Sequence, residues 1–77
     1  MVIIANYERY DIKARAARVG ITLTELLNAA NKQTGRRMRM PDFNKARKGV
    51  DRSPGAEQTL AVADRILAEL EIERNIK

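Results

Sequence analysis

The stretch Gly20-Ile21-Thr22-Leu23-Thr24-Glu25-Leu26-Leu27 decides how the chain is read. Threonine at 22 and glutamate three positions later form a capping box, in which each side chain satisfies a backbone N–H that the first helical turn leaves open. Ile21 before the cap and Leu26 after it are spaced for a hydrophobic staple. Gly20 is placed to stop a preceding helix in a left-handed conformation. One short segment therefore ends one helix and starts another.

Reading outward toward the N-terminus, Ile12, Ala16 and Val19 recur at helical spacing and give the first helix one narrow apolar face, with Arg15 and Arg18 off it. Its start falls near Asn6 or near Tyr10, with Asn6 or Asp11 as cap. Val2-Ile3-Ile4 reads as a short strand or as a packing arm. Residues 1–10 are accordingly taken as an N-terminal arm and 11–77 as the domain.

Toward the C-terminus, the second helix carries Leu26, Leu27, Ala29 and Ala30, and Asn31 is a candidate for its end. Residues 32–39 have no clear period. Arg37-Met38-Arg39-Met40 alternates basic and apolar, as in a short strand or an extended loop with both methionines inward. Pro41 and Asp42 then suit a helix start, the proline for its preset backbone and the aspartate for the helix dipole. Helix 41–48 turns Phe43 and Ala46 inward and Asn44, Lys45, Arg47 and Lys48 outward, and Gly49 ends it. Ser53-Pro54 starts the last helix, whose apolar stripe of Leu60, Ala63, Leu67 and Leu70 runs toward residue 74. Ile66, Leu70, Ile72 and Ile76 are candidates for a dimer interface. The expected fold class is all-α, with four or five helices.

Composition narrows the function. The 77 residues contain no cysteine and no histidine, so disulfides, zinc fingers, iron–sulfur sites and the commonest general base are all missing. A core this small leaves little room for a catalytic pocket. A non-enzymatic binding module is expected, without cofactor, metal or small-molecule substrate. The one apolar run at the start is too short for a signal-peptide core or a membrane span, so a cytoplasmic location and no membrane partner are expected.

The net charge of +5 is concentrated. Residues 32–52 hold eight basic side chains against Asp42 and Asp51, while the segments on either side are nearly neutral or acidic. Such a block points to a polyanionic partner.

In element order and motif the chain resembles the lambda-repressor-like helix-turn-helix family, the Xre/Cro group of small bacterial and phage regulators. The family's Gly-Leu-Thr-Gln-x-Glu-Leu-Ala corresponds to residues 20–27, its Ile-Ser-Arg-Trp-x-x-Gly to Phe43-Asn44-Lys45-Ala46-Arg47-Lys48-Gly49, and its Ser-Pro start to Ser53-Pro54. The resemblance spans residues 11–70. It implies a sequence-specific, dimeric regulator of phage or mobile-element type that inserts helix 41–48 into the major groove of double-stranded DNA. On that reading Asn44 and Lys45 reach base edges, asparagine pairing with adenine and lysine with guanine, and Arg36, Arg37, Arg39, Arg47 and Lys48 face phosphates. Two departures stand out. The family's phosphate-contacting glutamine is replaced by Leu23. The connection between helices two and three is also longer by about six residues, roughly 32–37, than the tight turn of this motif needs. Both features fit an alternative, a protein-binding module such as an antitoxin or a phage-encoded inhibitor of a nucleic-acid-processing enzyme. RNA binding ranks low because Tyr7, Tyr10 and Phe43 offer no stacking platform.

Overall fold

In a computed structural model, residues 8–74 are described. A single 3-10 turn at Arg9–Asp11 leads into four helices: α1 (Ile12–Val19), α2 (Leu23–Thr34), α3 (Met40–Arg47) and α4 (Pro54–Glu73). The described residues contain no strand, and the all-α expectation holds. Val2-Ile3-Ile4, Asn6 and Ile76 lie outside the described residues.

The core is the set of apolar faces that periodicity picks out. Ile12, Ala16 and Val19 of α1, Leu26, Leu27 and Ala30 of α2, Phe43 and Ala46 of α3, and Ala56, Leu60, Ala63 and Leu67 of α4 are all buried. Helix α4 is the spine and packs against each of the others. Thr59 is buried among its apolar neighbours because its hydroxyl donates to the Gly55 carbonyl at 3.0 Å, so no polar atom is stranded. Leu23 is half-buried against the core.

The helix ends follow the local chemistry. Thr22 accepts from the Glu25 N–H, and Glu25 accepts from the Thr22 N–H, both at 3.0 Å, completing the capping box. Gly20 closes α1 at a φ of +81°, where a side chain would be strained. Ser53 caps α4, and Pro54 occupies its first turn.

The start of α1 is less ordinary. Asp11 occupies the N-cap position in a left-handed conformation and makes no cap bond, and Tyr10 also has positive φ. The missing cap comes from Glu8, whose Oε2 accepts from the Lys13 N–H at 3.2 Å. Sequence reasoning weighed Asn6 and Asp11 for this role. The carboxylate that fills it reaches over from the far side of the turn.

Helix α2 runs past Asn31 to Thr34, with Gly35 as its left-handed cap. Asn31 stays helical because its side chain bonds elsewhere. Its Nδ2 donates to the Met38 carbonyl at 2.9 Å, and its Oδ1 accepts from the Met38 N–H at 3.1 Å. This two-point clip holds the extended segment 36–39 against α2 and leaves Met38 and Met40 packed on the core. Residues 32–39 thus divide between the last turn of α2 and a clipped loop.

Candidate nucleic-acid interface

Helix α3 is short because its inward residues, Phe43 and Ala46, need only two turns to reach the core. Its exposed side carries Pro41, Asp42, Lys45 and Lys48. Lys45 and Lys48 stand three residues apart, so they share one face. The side chain of neither makes a hydrogen bond or ion pair among the described residues. Arg37 and Arg39, on the segment leading into α3, are likewise exposed and without such a partner.

Arg36 is exposed but held. Its Nε and Nη2 donate to Gln58 Oε1 at 3.1 and 2.8 Å, laying the guanidinium over the first turn of α4. A Cβ on Gly55 would fall 2.9 Å from Arg36 Nη1, so the glycine lets the guanidinium approach this closely. A polar cleft of about 290 Å³ lies here, lined by Arg36, Arg37, Asp42, Asp51 and Ser53. Asp51 accepts from the Ser53 N–H at 3.0 Å, and that bond holds its carboxyl below the usual range.

Arg47 corrects the sequence reading. It is not outward: only 6% of the residue is exposed. It follows Phe43 by one helical turn, its guanidinium lies 5.6 Å from the ring centroid, and it pairs with the Glu8 carboxylate. Its Nη2 donates to Asn44 Oδ1. Burial pushes the guanidinium below its ordinary pKa. A side chain enclosed in this way is unavailable to a phosphate wall. Asn44, expected outward, is half-buried and engaged through its oxygen.

The other arginines divide along the same line. Arg15 is a clamp between α1 and α4: its guanidinium donates to Asp64 Oδ1 at 2.6 Å and Glu71 Oε1 at 2.8 Å, and to the Tyr10 carbonyl at 3.1 Å. Its hydrogen bond to Glu71 is the first of the causes that raise its pKa, and the same contact lowers that of Glu71. Arg9 pairs with Glu57 and holds the N-terminal turn to α4. Sequence reasoning did not single out Arg52, an exposed cation one residue before the α4 cap. Its signal was its place in the basic block.

Of the dimer candidates, Ile66 and Leu70 are half-buried and pack on this chain's own core, whereas Ile72 is 82% exposed. Among the described residues no group of three or more carboxylates, histidines or cysteines is placed to hold a metal ion, and no helix is long and apolar enough to cross a membrane. No family model, no curated protein and no solved structure matches the chain.

Proposed function

We propose that the chain is a sequence-specific double-stranded DNA-binding regulator of the lambda-repressor-like type, of phage or mobile-element kind, with α3 as the major-groove element. The observation that supports this reading best is the sorting of the arginines and lysines. Arg9, Arg15 and Arg47 are spent on internal carboxylates, while Arg37, Arg39, Lys45 and Lys48 remain exposed on and beside one short helix. Core packing of Phe43 and Ala46 holds that helix rigidly, which suits a groove-reading element. Lys45 is the base-edge lysine of this reading. Arg36, Arg37, Arg39 and Lys48 supply phosphate contacts, with Arg52 as an addition. Acting as a cytoplasmic homodimer, the protein would set two α3 helices about 34 Å apart, matching half-sites one turn apart.

The test is selection from randomised duplexes, followed by binding of the K45E/K48E variant. A recurrent sequence should emerge, and the double reversal should abolish binding with the helical signal intact. Normal DNA binding by K45E/K48E would show that another surface is used. One observation favours the second reading, a protein-binding module: residues 35–39, clipped by Asn31, separate α2 and α3 by more than a tight turn. Co-purification with a protein partner and no duplex binding at low salt is its signature.

A further inference from the structure

The buried network around Arg47 bears on which base α3 reads. Glu8 comes from the turn before α1, Arg47 from the last turn of α3, and Asn44 from the same helix three residues earlier. The Glu8 carboxylate pairs with Nη1 of Arg47, and Nη2 of the same guanidinium donates to Asn44 Oδ1. The Arg47 side chain is only 7% exposed and that of Glu8 18%, so this counter-charge is largely screened from water and holds the guanidinium in one place. The buried side-chain atoms without a hydrogen bond among the described residues are Glu8 Oε1, which meets Arg47 Nη1 as an ion pair, and Arg47 Nε. Asn44 Nδ2 is not one of them and has no hydrogen-bond partner, so it keeps contact with solvent.

An asparagine reads adenine by donating to N7 and accepting from the N6 amino group, which needs both ends of the amide. Here the amide oxygen is already held by the buried Arg47 guanidinium. What Asn44 offers outward is N–H alone, which matches a base carbonyl (guanine O6 or thymine O4) and meets the amino group of adenine or cytosine donor to donor.

Building on the DNA-binding reading, we propose that Glu8, acting through Arg47, is a positioning residue that pins Asn44 as a pure donor, so that α3 selects a base with a major-groove carbonyl at the Asn44 position. This replaces the adenine pairing expected from residue type. Lys45, also donor-only, reinforces the same preference at its neighbouring position.

The experiment compares sequences enriched from randomised duplexes by the wild type, N44A and E8Q/R47M. The paired replacement leaves no uncompensated buried charge. The wild type should enrich guanine or thymine over adenine at one position by about 5- to 150-fold, the range of a good base-edge contact. N44A should lose that preference at that position alone. E8Q/R47M frees the amide oxygen and should shift the position toward adenine. A wild-type adenine at the position that N44A relaxes would overturn the proposal, as would an unchanged base in E8Q/R47M or no position relaxed in N44A. If E8Q/R47M does not fold, E8A/R47L serves: neither side chain can hydrogen-bond the Asn44 oxygen and no buried charge is left, so the same shift is expected and its absence overturns the proposal. Enrichment of no duplex by any variant would remove the DNA-binding reading itself. That outcome differs from the others, in which duplexes are enriched with the wrong base.

Discussion

Replacing Arg47 by alanine removes one partner of a buried ion pair and leaves Glu8 facing a cavity. Breaking such a pair from one side costs roughly 3–5 kcal/mol when both charges are fully buried. Glu8 retains 18% of its side-chain exposure, so part of its charge can rehydrate, and roughly 2–4 kcal/mol is the reasoned range. At this size each kcal/mol moves the midpoint by about 4–8 °C, so R47A should melt at least 8 °C or so below the wild type. E8Q/R47M, with neither charge left to strand, should fall closer to the wild type than R47A alone. K45A, on the exposed face of the same helix, should change stability by no more than about 0.5 kcal/mol. Thermal unfolding followed by circular dichroism measures all three. An R47A melt within about 2 °C of the wild type would refute the buried placement and return Arg47 to the exposed set.

Other consequences can be checked in parallel. L60A should cost about 2–5 kcal/mol, read by chemical denaturation, because Leu60 is fully buried on the spine helix. N31A removes both bonds to Met38 and should speed hydrogen exchange at the Met38 amide while leaving exchange in α4 unchanged. Glu57 and Glu71 have folded-state pKa values below their ordinary 4.5, each chiefly through an arginine hydrogen bond. Their contribution is therefore complete above that value and is lost as the pH falls through the lowered folded-state pKa. Melting temperature should fall as the pH drops below about 4.5, and more shallowly in E71Q.

Much of the architecture was legible because it follows from local rules. The capping box at Thr22 and Glu25, the stop at Gly20, the Ser53-Pro54 start and the inward faces of α1, α3 and α4 depend on spacing and turn chemistry alone. The misreadings share another cause. Asn31 has the residue type of a helix end, yet its amide clips Met38, and that partner is a tertiary fact. Arg47 has the residue type of a surface cation, yet it sits at the inner position one turn after Phe43. The spacing from Phe43 was a usable signal; the carboxylate that makes burial tolerable, Glu8, is distant in sequence and left none. The same limit applied to Asn44, whose two amide ends look equivalent until Arg47 occupies one.

The most direct test of the central claim is the salt dependence of duplex binding, measured over a range of monovalent salt on a selected sequence and on random duplex. Four to five exposed cations among Arg36, Arg37, Arg39, Lys48 and Arg52 predict a log–log slope near −4 per protomer and so about −8 for the dimer, at about −0.9 per phosphate neutralised, with the selected sequence bound more tightly throughout. R37A should flatten the slope by about one phosphate per protomer. A slope near zero, or no duplex binding at low salt, would contradict the account.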